Sequence, residues 1–182
     1  MRTEHWNTGV RLGLLAFALT LLPLRAGADP APAQGPAPAE LQWSQLDVAV
    51  KQAKAQKKGV FVMVYADWCG YCHRMEATTF RDPAIIAKLN SAFVPVKLNG
   101  ESPRSMNLDK QSITETAWAM QQGVQGFPSL IALDSKGRTV AMYPGYLTTP
   151  QAARFIADLA EYLHDGGLDK LGNFFDWAEK KS

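Results

Sequence analysis

Two cysteines separated by two residues are the part of this sequence with the clearest capacity for chemistry. Cys69 and Cys72 are the only cysteines in the chain, and Gly70 and Tyr71 lie between them. A disulfide that closes so small a loop would constrain the unfolded chain very little. The pair is therefore better explained by thiol–disulfide reactivity than by architecture.

His73 gives the same pair two further interpretations. The motif also reads Cys-x-x-Cys-His, which is typical of covalent c-type haem attachment, with His73 as the proximal ligand. A zinc site fits less well, because these three residues are too close in sequence for a tetrahedral set and His164 is the only other histidine after residue 28. We predict no metal and no cofactor, and the haem alternative stays open here.

The residues around the cysteines predict a strand followed by a helix. Val60–Ala66 is apolar at nearly every position, which is typical of a central strand buried on both faces. A helix is expected to follow, with Cys69 at its N-terminus, where free N–H groups and the helix dipole stabilise a thiolate. Cys72 would then lie one turn deeper on the same helical face.

Helical and strand patterns alternate through the rest of the chain. Before the loop predicted over Asn99–Ser112, we predict a helix from Leu41 to about Lys57, an active-site helix to Phe80, a helix to Asn90 that is capped by Asp82 with Pro83 at its first position, and a strand Phe93–Leu98. After the loop, we predict a helix Ile113–Gln122, strands Ser129–Leu133 and Arg138–Tyr143, a long helix from Thr149, and a short aromatic helix with Phe174, Phe175 and Trp177. The buried stripe of the long helix is expected to consist of Ala153, Phe155, Ile156, Leu159 and Leu163.

This order predicts an α/β fold. A parallel βαβ unit would precede an antiparallel hairpin closed by a helix, giving a mixed central sheet of about four strands flanked by helices. An extra N-terminal helix and a C-terminal aromatic segment would complete it. Pro95 weakens the prediction of its strand, because proline cannot donate to a ladder and usually lies at an edge.

Three features in the same order resemble the thioredoxin superfamily. They are the strand that ends in residues 66–72, the Gly126-Phe127-Pro128 turn before a strand, and the closing hairpin with its helix. The resemblance covers about residues 41–163 and is greatest to exported thioredoxin-related proteins. It implies the thioredoxin fold and a protein-disulfide oxidoreductase, in which Cys69 attacks a substrate disulfide and Cys72 resolves the mixed disulfide.

The resemblance also implies roles for neighbouring residues. The peptide before Pro128 would be cis, and Pro128 would face the cysteines. The backbone around Phe127 would then be free to pair with an extended substrate. The remaining neighbours expected at the site are Trp68, Gly70, Tyr71 and His73.

One position departs from the family pattern. Many thioredoxins carry a buried aspartate six residues before the first cysteine, and this chain has Met63 there. Asp67 and Glu76 are close in sequence, but neither occupies the matching position. The group that handles the proton of Cys72 is therefore left open.

The first forty residues have the pattern of an exported protein. Arg2 and Arg11 precede or open a short apolar run, and residues 26–28 fit a small-x-small cleavage site. We predict a signal peptide over residues 1–28, a Pro/Ala-rich linker over 29–40 and a single domain over 41–182. The alternative is an uncleaved membrane anchor.

Charge and compartment suggest the partners. Removing residues 1–28 takes three arginines and one glutamate from 19 basic and 17 acidic residues, so the remainder is neutral and gives no reason to expect nucleic-acid binding. The periplasm is oxidising, so a reductase there would need a membrane thiol-electron donor as well as disulfide-containing clients. The first expectation is a periplasmic reductase; the alternatives are an oxidase or isomerase, and a non-catalytic binding module.

Overall fold

A computed structural model describes residues 40–108 and 111–181 of the chain. The predicted signal peptide and residues 29–39 of the predicted linker lie outside the described residues. None of the helices in the described ranges is long and apolar enough to cross a membrane. The elements in chain order are α1 (Leu46–Gln56), β1 (Gly59–Tyr65), α2 (Gly70–Ala77), α3 (Pro83–Ala92), β2 (Phe93–Asn99), β3 (Ser105–Leu108), β4 (Gln111–Thr114), α4 (Glu115–Gln121), β5 (Ser129–Leu133), β6 (Thr139–Pro144), α5 (Thr149–His164), α6 (Gly167–Leu171) and α7 (Phe174–Lys181).

A four-stranded mixed sheet forms the centre, as predicted. Its order is β2-β1-β5-β6, with β1 parallel to β2 and antiparallel to β5. Because β1 is a central strand, its side chains enter two different apolar clusters: Phe61 and Met63 face one, and Val62 and Val64 face the other. The apolar run thus places the end of β1, and the cysteines after it, on a scaffold buried on both faces.

Pro95 lies on an edge strand, so its presence is compatible with the strand predicted over Phe93–Leu98. β2 is the first strand of the sheet, so the missing N–H of proline costs no ladder bond to a second neighbour. Outside β2, the backbone N–H of Ser44 donates to the Pro95 carbonyl at 2.9 Å, and Ser44 forms an isolated parallel bridge with Val96.

The loop predicted over Asn99–Ser112 is wrong. β2 extends to Asn99, and the segment holds an antiparallel pair, β3 and β4. Met106 on β3 is 2% exposed and joins the cluster that contains α1, so a long-range contact holds a pair with weak local periodicity. The predicted helix start at Ile113 is wrong for the same reason: Ile113 belongs to β4, and Thr114 caps α4 by accepting from Ala117 N.

Helix boundaries also need correction. α1 begins at Leu46, not at Leu41, which is buried in the core but precedes the helix. α1 ends with Lys57 in the left-handed region at φ 56°, so the turn predicted at Gly59 comes earlier. α2 ends at Ala77, and a 3₁₀ turn over Thr79–Arg81 carries the chain to Asp82. The predicted cap is confirmed, with Asp82 accepting from two backbone N–H groups at the start of α3.

The C-terminal part packs on α5. The buried alanine of α5 is Ala152, four residues before the buried Ile156, whereas Ala153, which was predicted to face inward, is exposed. The predicted aromatic segment forms two short helices, α6 and α7. Phe174 is 2% exposed and contacts Tyr162 edge-on, with ring centroids 5.4 Å apart.

Candidate active site

Cys69 and Cys72 form a disulfide at the N-terminus of α2. Cys69 is the N-cap residue, and its Sγ accepts a hydrogen bond from the Cys72 backbone N–H at 3.1 Å. Cys69 is 3% exposed, and Cys72 is fully buried. The first free N–H groups of α2 would therefore stabilise a thiolate on Cys69. Cys72 is shielded from any large molecule.

Trp68 is held beside the cysteines by a residue from the mispredicted loop. Its indole Nε1 donates to Glu101 Oε2 at 2.9 Å, although the ring is 70% exposed. Asn99 supports this contact, because its Oδ1 accepts from the Glu101 N–H and its Nδ2 donates to Asp67. Sequence reasoning missed Glu101, since nothing local marks a carboxylate 33 positions from its partner.

The peptide between Phe127 and Pro128 is cis. Pro128 is buried, and its carbonyl accepts from the Gly145 N–H at 2.8 Å. The Phe127 ring contacts Trp68 edge-on, with centroids 5.9 Å apart. A Cβ on Gly100 would lie only 2.4 Å from this ring, so a glycine at the end of β2 lets Phe127 sit against the sheet.

Tyr71 forms a second aromatic contact at the motif. The ring is 62% exposed and lies 5.6 Å from the ring of Tyr146, which follows β6. The guanidinium carbon of Arg74 lies 5.6 Å from the Tyr146 ring centroid. Gly70, between the two cysteines, is exposed, and a Cβ there would meet no atom within 4 Å.

His73 is exposed and points back to the loop before the motif. Its Nε2 donates to the Asp67 carbonyl at 2.9 Å, so this nitrogen helps to fix the turn from β1 into α2. A haem ligand would need that nitrogen, and thioether bonds would need the two sulfurs that are joined here. The haem interpretation therefore gains no support from the site. Within residues 40–108 and 111–181, no group of His, Cys, Asp or Glu side chains is arranged to hold a metal ion.

A carboxylate and an amine lie near Met63, where the family pattern has an acid. Lys97 is directly opposite Met63 in the register of β1 and β2. Its Nζ lies 2.7 Å from Glu76 Oε2 and 4.3 Å from the Tyr65 ring centroid. The other oxygen, Glu76 Oε1, is buried and has no hydrogen-bond partner among the described residues.

Glu76 is four residues after Cys72 on α2, so the two side chains lie on the same face of the helix. A buried acceptor without a donor is uncommon in a folded protein and calls for an explanation. The buried oxygen therefore marks Glu76 as a polar group of interest on the helical face that carries Cys72.

Comparison with known proteins reveals similarity over most of the described chain. Residues 46–160 match the family model described as Thioredoxin-like domain. A curated relative from Salmonella paratyphi A, the thiol:disulfide interchange protein DsbD, is 30% identical over 167 residues, covering 88% of this chain and 26% of that protein. The DsbD of Vibrio vulnificus is 32% identical over 114 residues, covering 62% of this chain and 17% of that protein. The chain spans about a quarter or less of the length of these relatives.

Solved structures show the same fold at lower identity. A thioredoxin-fold protein from Helicobacter pylori aligns with a TM-score of 0.56 at 19% identity, covering 69% of this chain and 80% of the other. A protein described as DsbH oxidoreductase gives 0.55 at 19% identity, covering 76% and 95%. A thioredoxin from Thermus thermophilus gives 0.55 at 22% identity, covering 71% and 92%. The fold expected from the sequence is thereby confirmed.

Proposed function

Because the chain belongs to the family of thioredoxin-like domains, we propose that it is a thiol–disulfide oxidoreductase with Cys69 and Cys72 as its redox centre. The observation that carries the proposal is the Cys69–Cys72 disulfide at the start of α2, in which Cys69 is slightly exposed and Cys72 is fully buried. The similarity to thiol:disulfide interchange proteins supports it. The same chemistry makes other thiol–disulfide proteins the partners.

The reaction begins with the reduced pair. The Cys69 thiolate attacks one sulfur of a client disulfide and expels the other client sulfur as a thiolate, which takes up a proton. Cys72 then loses its proton and attacks Cys69, which breaks the mixed disulfide and releases the second client thiol. The pair gives up two electrons to the client disulfide. Of the two protons that the client sulfurs take up, Cys72 supplies one, and solvent, which received the Cys69 proton, supplies the other.

Glu76 is the group that we assign to the proton of Cys72. No donor from residues 40–108 or 111–181 bonds to Glu76 Oε1, and Lys97 holds the other oxygen in place. In this assignment the carboxylate comes from α2 and not from β1, where Met63 is apolar. Cys72 is fully buried, so bulk water has poor access to its thiol.

An extended client would lie at the loop that contains Phe127 and Pro128. In this proposal its backbone pairs with the residues before the cis peptide, while Trp68, Gly70, Tyr71 and His73 border the exchanging sulfurs. The exposure of Trp68 and Tyr71 supports contact with a macromolecule, because large exposed aromatic side chains are typical of binding sites.

We place the protein in the periplasm after removal of residues 1–28, with residues 29–40 as a linker to the domain. The export pattern of the sequence and the similarity to DsbD support this location. Electrons would flow towards clients, so a membrane thiol carrier must reduce Cys69–Cys72 again. The wider activity of the longer relatives is not needed for this cycle.

Trapping the mixed disulfide tests the chemistry. Cys72→Ser should accumulate a covalent adduct with a disulfide-containing protein on a non-reducing gel, because the resolving thiol is missing. Cys69→Ser should accumulate none and should lose activity. Full biological activity of Cys69→Ser would instead favour a binding module.

Redox equilibration with glutathione tests the direction. A reductase should show a potential near that of thioredoxin, about −270 mV, whereas a disulfide-forming enzyme lies near −120 mV. A value at the oxidising end would overturn the reductase direction and favour the oxidase or isomerase alternative. The trapping result is independent of this measurement.

A further inference from the structure

Arg74 differs from the other arginines in the described part of the chain. Its guanidinium has no carboxylate partner there, although Arg74 is exposed and follows Cys72 by two residues and Tyr71 by three. The nearest acid on α2, Glu76, is already paired with Lys97. The arginines that do pair with a carboxylate are Arg81, Arg104, Arg138 and Arg154.

The position of the Arg74 guanidinium is nevertheless defined. It lies over the Tyr146 ring at 5.6 Å, and Tyr146 contacts Tyr71. A cation over an aromatic face is attracted by the ring electrons and keeps its N–H donors available at the edge. Five donors in a fixed plane are therefore presented beside Tyr146, whose ring contacts Tyr71 of the Cys-x-x-Cys motif.

The segment after β6 that carries Tyr146 is also hydrogen-bonded to the segment with the cis Phe127–Pro128 peptide. The Gly145 N–H donates to the Pro128 carbonyl at 2.8 Å, so Tyr146 is fixed relative to the backbone on which an extended client would lie. Tyr71 lies between the two cysteines in sequence. In the proposed binding mode, a client segment beside Pro128 would therefore lie close to the Tyr71–Tyr146 pair and to the Arg74 guanidinium.

We infer that Tyr71, Tyr146 and Arg74 select client segments that carry an acidic side chain close to the disulfide cysteine. This inference rests on the proposed function and adds the class of substrate. A carboxylate is the side chain that matches a planar guanidinium with two parallel hydrogen bonds. At the other aromatic pair, Trp68 and Phe127, the Glu101 carboxylate accepts a hydrogen bond from Trp68. An acidic client residue would be repelled there by the like charge of Glu101.

The competing explanation is that Arg74 only stabilises α2. It is a basic residue in the last turn of that helix, where a cation interacts favourably with the helix dipole. That role would change the thermal stability of the protein but would not distinguish between clients. The two roles therefore separate in a comparison of matched substrates.

The test uses two peptides with the same disulfide, one flanked by glutamates and the other by lysines. The wild-type protein should reduce the acidic peptide with the higher kcat/KM. Arg74→Gln should lower the ratio of acidic to basic kcat/KM about tenfold, and Arg74→Lys should restore part of it, because lysine keeps the charge but not the planar fork. Added salt should also reduce the ratio.

Lys88→Gln is the matched control. Lys88 is an exposed cation on α3, so its loss changes net charge equally and should leave the ratio unchanged. An unchanged ratio in Arg74→Gln, or the same decrease in Lys88→Gln, would overturn the inference while leaving the proposed function intact. Failure of the wild-type protein to exchange with either peptide and with oxidised glutathione would overturn both.

Discussion

Glu76 combines one paired oxygen and one bare oxygen in a single carboxylate. The paired Oε2 contacts Lys97 at 2.7 Å, and Lys97 also lies over the Tyr65 ring. The bare Oε1 is buried beside the face of α2 that carries Cys72. Lys97 can therefore hold Glu76 in place through Oε2 while Oε1 keeps the capacity to accept a proton.

Glu76→Gln should slow the step in which Cys72 resolves the mixed disulfide. The amide keeps the size and a hydrogen bond near Lys97 but cannot accept the thiol proton, and loss of a general base typically costs about 100-fold or more in rate. Stopped-flow measurement of the resolution rate in the wild-type protein and in Glu76→Gln would detect this loss. Formation of the mixed disulfide by Cys69 should change much less.

Glu179→Gln, an exposed change on α7, is the control for that experiment and should leave both steps unchanged. A Glu76→Gln protein that resolves the mixed disulfide at the wild-type rate would show that water or another residue takes the proton of Cys72.

At the scale of the site, the residues predicted from sequence are those with local signals. The spacing of Cys69 and Cys72, and the Phe127-Pro128 turn, can be recognised within a few positions. Glu101 and Lys97 could not be recognised, because their partners are 33 and 21 positions away and only the folded sheet brings them together.

At the scale of elements, α6 is attached to the turn between β5 and β6 through Asp169. Its carboxylate accepts from Arg138 at 2.8 Å and from Lys136 at 2.6 Å. The hydrogen bond from Arg138, followed by that from Lys136, lowers the pKa of Asp169 from 3.8 to about 2. The charged form is therefore favoured by folding, and its stabilising contribution is present above pH 3.8 and is lost as the pH falls through about 2.

Asp169→Asn should therefore destabilise the protein at neutral pH and have little effect near pH 2. Urea unfolding of both proteins at several pH values would measure the difference, which should also shrink with added salt because these groups are exposed. Asp176→Asn, at an exposed aspartate on α7, is the control that removes the same charge elsewhere on the surface. A constant difference down to pH 2 would mean that Asp169 acts through packing and not through its charge.

Elements with a strong local pattern agree with the sequence prediction, and those held by distant contacts do not. β1 is apolar throughout, and β5 has the predicted bounds Ser129–Leu133. β3 and β4 were not recognisable, because their stability depends on Met106 entering the core beside α1. Local polarity in this segment therefore indicated a loop where the tertiary contact selects a strand pair.

At the scale of the whole molecule, α7 extends the core beyond α5. Phe174 lies among Phe155, Tyr162 and Trp177, with centroids 5.8, 5.4 and 6.1 Å away. The Tyr162 hydroxyl donates to the Gly172 carbonyl, which fixes the chain between α6 and α7. The C-terminal residues are thus part of the stabilising core and not an appendage.

Phe174→Ala should reduce the free energy of unfolding by about 3–5 kcal/mol, because it removes a buried ring and leaves a cavity. Its neighbour Phe175 is 46% exposed, so Phe175→Ala should cost less than about 1 kcal/mol. Urea unfolding would compare the two substitutions directly. Equal, small losses would show that α7 does not contribute to the cooperative core.

The outer side of the edge strand β2 affects whether copies of the protein can aggregate by pairing strand to strand. An unpaired edge can act as a template for aggregation or domain swapping. Pro95 offers no N–H at this edge, and the Ser44 N–H already occupies its carbonyl. The missing N–H and the contact with Ser44 therefore disfavour fibre growth from this part of the β2 edge.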